Sequence, residues 1–136
     1  MPIVDDNGIR QVLKETRTIA VVGASPKPWR DSGSIAQFLV NKGYTVIPVN
    51  PNYEEVIGLK CYPTLKSVPV RIDMVDIFRR SKEVLPIVKE AIEIGAKTIW
   101  MQLEVEDEAA AALAEKAGLR VIMDRCIAIE HRHVMK

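Results

Sequence analysis

The stretch "AVVGASPKPWR", Ala20 to Arg30, decides how this chain is read. A short apolar run from Ile19 to Val22 arrives at Gly23, as the first strand of a doubly wound sheet arrives at the loop ahead of its first helix. The G-x-G-x-x-G spacing of a dinucleotide turn is missing. Ser25, Pro26, Lys27, Pro28 and Arg30 stand there instead, before Gly33 and a helical segment. A loop with cations in place of the second and third glycines raises the question of which phosphate it serves.

Outward from that loop, strand and helix patterns alternate. Asp6 or Asn7 is placed to cap an opening helix with Ile9, Val12 and Leu13 on one face. The first strand spans Thr18 to Val22, and the next helix runs from about Ser34 to Lys42 and stops at Gly43. Strand two covers Tyr44 to Val49, where Pro48 is tolerated near an end or on a sheet edge. A loop from Asn50 to Pro69 precedes strand three, Met74 to Phe78. Val84, Ile87, Val88, Ala91 and Ile92 form a helical stripe that Pro86 starts near residue 83 and Gly95 ends. Strand four is Thr98 to Leu103, an alanine-rich helix covers about Asp107 to Ala117, and strand five is Leu119 to Met123. The tail from Asp124 reads as irregular or as one helical turn. Five strands joined by right-handed helical crossovers predict an α/β, Rossmann-like, doubly wound parallel sheet of order 3-2-1-4-5, with helices on both faces.

Composition sets bounds on function. A chain of 136 residues with 48% hydrophobic and 27% charged residues suits one domain, 1–136, that folds without metal or disulfide support. No apolar run approaches the ~18 residues of a membrane span, and the acidic start "MPIVDDNGIRQ" does not read as a signal peptide, so cytoplasmic residence is expected. Cys61 and Cys126 then read as free thiols. A net charge of +1 argues against nucleic acid as the partner, while leaving room for a local cluster that binds one small anion.

In an open sheet of this kind the ligand lies beyond the carboxyl ends of the strands. Gly23, Ala24 and Ser25 and the helix start offer backbone N–H groups to phosphate oxygens, and Lys27 and Arg30 add charge. Strand two ends in Val49-Asn50-Pro51 where an NAD site carries an acid, so a nucleotide with an additional phosphate fits better, with Arg79 and Arg80 at the neighbouring strand end. Phe78 reads as core or as a face for adenine. The catalytic inventory is thin. His131 and His133 lie in the tail, Cys126 and His131 lack a third orienting group, and Asp73 and Asp76 read as facing solvent or capping neighbours.

Five blocks in order, "VVGASPKPWR", "GYTVIPVNPNYEEVIGLKCYPTL", "VDIFRR", "AIEIGAKTIWMQL" and "AGLRVIMDRCIAIEH", resemble the small stand-alone CoA-binding proteins over about residues 8 to 133. Their fold is similar to the N-terminal CoA-binding domain of the succinyl-CoA synthetase α subunit and of ADP-forming acyl-CoA synthetases. The resemblance implies that coenzyme A, free or acylated, is the ligand. Gly23, Ala24, Ser25 and Pro26 would cradle its pyrophosphate beside Lys27 and Arg30. Asn50 and Pro51 would line the nucleotide side, Phe78, Arg79 and Arg80 would flank adenine and the 3′-phosphate, and Gln102 would lie near the pantetheine arm. The synthetases also carry a phosphohistidine domain and an ATP-grasp domain, for which 136 residues leave no room. The expected role is therefore a module, non-catalytic on its own, that senses CoA or presents it to a protein partner; a homodimer is left open. Two alternatives stand beside it: a small CoA- or NAD(P)-dependent enzyme, and a thiol-redox protein forming a mixed disulfide with CoA through Cys126 or Cys61.

Overall fold

A computed structural model describes residues 1–136. Five parallel strands form one sheet: β1 (Thr18–Val22), β2 (Thr45–Val49), β5 (Met74–Ile77), β6 (Thr98–Met101) and β7 (Arg120–Ile122). A separate antiparallel hairpin, β3 (Glu55–Val56) with β4 (Leu59–Lys60), occupies part of the loop expected after strand two. Five helices cover the sheet: α1 (Asp6–Glu15), α2 (Asp31–Asn41), α3 (Val84–Glu93), α4 (Glu108–Lys116) and α5 (Ile127–Val134).

Alternation along each strand divides the core in two. Ile19, Val21, Met74, Trp100 and Ile122 face the layer of α1, α2 and α5, while Ala20, Val22, Val75, Ile99 and Val121 face α3 and α4. Both faces being covered explains why the strands read as continuous apolar runs. The doubly wound α/β fold is as expected.

Strand order is not. The sheet runs β2-β1-β5-β6-β7, which is 2-1-3-4-5 when its strands are counted along the chain, and not 3-2-1-4-5. The reason lies at Pro48. Its carbonyl, on the outer edge of β2, accepts from Tyr62 N at 3.0 Å, and Tyr62 O accepts from Asn50 N at 2.9 Å, so that edge is already occupied. A full strand there would also find no N–H on Pro48. The chain returns instead to the free edge of β1, pairing Ile19 with Met74 and Val22 with Ile77. Direction reverses between β1 and β5, and right-handed crossovers then place α2 on one face and α3 and α4 on the other.

Two further expectations change. The tail forms α5, eight residues whose Ile127, Ala128, His131 and Val134 are buried. Asp73 does cap neighbours, accepting from Arg17 N and Thr18 N at 3.0 Å each. Asp76, in contrast, is 0% exposed in the middle of β5, with neither carboxyl oxygen bonded, and its burial holds the carboxyl far above the usual carboxylate range.

Candidate functional site

The observed order sets the end of β1 directly beside the end of β5. Gly23, with φ of 89°, sits so close to the next strand that a Cβ on it would overlap the Phe78 carbonyl oxygen and stand 3.0 Å from Arg79 Cδ. Three clefts meet at Gly23 and Arg79. The largest, about 430 Å³, opens toward β6 and is also lined by Trp29, Arg30, Asp31, Ser32, Phe78, Arg80 and the segment Gln102 to Val105. A second, about 170 Å³, adds Ser25, Lys27, Arg30, Asn50 and Phe78. A third, about 200 Å³, opens toward β2 past Pro51, Pro63 and Thr64.

Ten of the twelve residues singled out from the sequence line these clefts; Ala24 and Pro26 do not. Ala24 is packed in the core beneath the loop, and Pro26 is exposed outside the clefts. The expected phosphate cradle also changes. Gly23 N donates to Val49 O at 2.9 Å and Ser25 N to Ser32 Oγ at 3.0 Å, so two of its three amides are bonded within the protein. The stronger donor set is the amino end of α2, where no side chain supplies a cap. Gly33 brings that helix up to the loop: a Cβ there would lie 2.9 Å from Ser25 O.

The cations differ in placement. Arg79 lines all three clefts with its side chain 35% exposed, whereas Arg80 is 75% exposed and lines one. Both lie within 4 Å of Glu83, at 3.8 and 3.7 Å. Lys27 Nζ stands 5.5 Å from the centre of the Trp29 ring. Asp31 and Glu104 add negative charge to the largest cleft. Gln102, at the end of β6, accepts from Ile127 N at 3.3 Å through Oε1 and lines the largest of the three clefts.

Sequence reasoning missed Trp29, Ser32 and the Leu103 to Val105 segment. An exposed tryptophan in a Pro-rich loop was the available signal. Nothing local marked Glu104, whose left-handed backbone (φ 69°) is held by a bond from its N–H to Asp124 Oδ1 at 2.6 Å. The thiols lie apart from the clefts. Burial pushes the Cys61 thiol up, outweighing its bond to Asn50 O, and Cys126 is the N-cap residue of α5. His131 turns its ring into Phe38 and Tyr44, with centroids at 5.5 and 6.0 Å.

Known proteins resemble this chain in sequence and fold. The chain is 37% identical over 123 residues to an uncharacterised protein of Bacillus subtilis, YneT, covering 90% of this chain and 91% of that one. It is 30% identical over 128 residues to the α subunit of an ADP-forming acetate–CoA ligase of Pyrococcus furiosus, spanning 86% of this chain but 28% of the subunit. A solved structure of a hypothetical protein from Pyrococcus horikoshii superimposes with a TM-score of 0.95 at 41% identity, covering 100% of this chain and 97% of that one. The dinucleotide-forming acetyl-coenzyme A synthetase 1 of Candidatus Korarchaeum cryptofilum matches with a TM-score of 0.70 at 30% identity, over 79% of this chain and 26% of the synthetase. A family model described as a CoA binding domain matches residues 17–132, and the chain belongs to that family.

Proposed function

We propose that this protein binds coenzyme A or an acyl-CoA across the β1/β5 switch point and, with no catalysis of its own, senses the ligand or presents it to a partner protein. One observation carries the reading: Lys27, Arg30 and Arg79 line one cleft beside Gly23 and next to the uncapped amino end of α2, and glycine at position 23 lets the Phe78–Arg79 end of β5 close up against that loop. The pyrophosphate lies at that helix end. The nucleotide extends toward Asn50 and Pro51, with Phe78 beside adenine and Arg79 toward the 3′-phosphate, while Arg80 stands mostly in water at the rim. The pantetheine arm runs past Gln102 between Trp29 and Leu103, whose apolar surface stands 72% and 55% exposed beside the cleft. The carboxylate of Glu104, just past β6, leaves that side of the cleft to this uncharged arm.

The partner is a protein that supplies the chemistry, as the remaining 72% of the Pyrococcus furiosus subunit suggests by analogy. Free Cys61 and Cys126 suit a cytoplasmic setting. Isothermal titration of nucleotide-free protein with CoA, dephospho-CoA and NAD⁺ tests the reading. CoA binding that weakens at least tenfold without the 3′-phosphate supports it. Binding of NAD⁺ alone, or of none of the three, overturns it.

A further inference from the structure

Asn50 is 5% exposed, and its carboxamide crosses from the end of β2 to the loop after β1. Nδ2 donates to Ala24 O at 2.9 Å, and Oδ1 accepts from Asn52 N at 3.0 Å. The backbone of Asn50 is held on its other side: its N–H donates to Tyr62 O at 2.9 Å, and its carbonyl accepts the Cys61 thiol at 3.5 Å. A carboxamide committed at both ends cannot turn to a ligand without abandoning a buried bond.

The opposite flank of the same loop is held as well. Carbonyl and N–H point in opposite directions across a trans peptide. The Ala24–Ser25 peptide is therefore pinned at both ends, its oxygen by Asn50 and its N–H by Ser32 Oγ at 3.0 Å. Ser32 lies in the first turn of α2 and is 4% exposed, so this one peptide ties β2 to the helix end.

We infer that Asn50 is a positioning residue, whose carboxamide holds the Ala24–Ser25 peptide, and with it the amino end of α2, in the shape a pyrophosphate needs. The inference rests on the CoA reading above and changes the part Asn50 plays in it, from lining the nucleotide to building the loop. Ordering the loop during folding removes that cost from binding.

The test uses the full chain as wild type, Asn50→Ala and the isosteric Asn50→Asp. CoA affinity is measured by titration, thermal stability by melting, and the Ser25 amide by hydrogen exchange. Asn50→Ala is expected to bind CoA about tenfold more weakly, and Asn50→Asp more weakly still, because a carboxylate would face the Ala24 carbonyl. Ser25 exchange should rise at least tenfold in both, while Ala20 and Val21 within β1 stay protected. Wild-type CoA affinity in both variants overturns the inference, as does exchange that rises uniformly along β1 and β2, the mark of a merely structural role. If the wild type itself takes no CoA, the ligand reading falls separately, and Ser25 exchange alone accepts or rejects the clamp.

Discussion

The carbonyl oxygen of Phe78 occupies the space that a side chain at position 23 would need, so β1 and β5 can stand side by side at the switch point only with glycine there. The positive φ of 89° adds to the requirement. Gly23→Val should lower stability by at least about 2 kcal/mol and abolish CoA binding in whatever folded protein remains. Melting and titration check both. An unchanged melting temperature would mean that the two strand ends do not approach as described.

Arg79 and Arg80 are adjacent in sequence and unequal in place. The first reaches all three clefts; the second is mostly in water. Arg79→Ala should raise the Kd for CoA by about 10–100-fold, the size of one lost charge-assisted bond, and should raise that for dephospho-CoA much less. Arg80→Ala should change either by under about threefold, since an exposed charge is screened. Equal losses for CoA and dephospho-CoA in Arg79→Ala would remove Arg79 from the 3′-phosphate, and a matching loss in Arg80→Ala would overturn the difference between the two arginines.

Asp76 is a liability in the fold. Burial raises the pKa of its carboxyl in the folded protein, whereas the unfolded chain releases that proton above a pKa of about 3.9. The unfolded state therefore binds fewer protons, and stability falls as pH rises from about 4 toward neutrality. Asp76→Val fits a strand and leaves no orphaned oxygens, and should stabilise the protein by about 1–3 kcal/mol at pH 7. The gain should be smaller at pH 4. A destabilised variant would show that Asp76 has a partner worth keeping.

His131 gives the opposite slope. Burial, followed by the nearby Lys42 charge, lowers its pKa below the usual 6.5, and Arg132 stacks over the Phe38 ring that His131 contacts. The unfolded chain takes up the proton first as pH falls, so stability drops below about pH 6.5 and levels off below the folded pKa. Melting between pH 7.5 and 5 should show that decline, and His131→Phe should flatten it. An identical slope in the variant would assign the acid sensitivity elsewhere.

Much of the fold was legible because its signals are local. Ile9, Val12 and Leu13 repeat at helical spacing, and Ile19 to Val22 form an apolar run that ends at a glycine. Helix α5 escaped notice because eight residues carrying two histidines, an arginine and a glutamate make a weak apolar stripe. A helix that short forms through its packing on α1 and α2 more than through its own propensity. Most of the candidate site was legible too, since residues just past parallel strands share one rim whatever the strand order.

By itself, the sequence determined a doubly wound α/β sheet, the Gly23 loop and the cations around it, because period and residue type act over a few neighbours. Tertiary structure decided which edge each strand joined, and hence that Phe78 and Arg79 flank Gly23. It also decided that the Asn50 carboxamide binds Ala24 and that Asp76 is left without a partner. Those outcomes depend on which hydrogen-bonding edges and buried polar groups are already occupied when distant segments meet, as Tyr62 occupies the edge of β2 at Pro48.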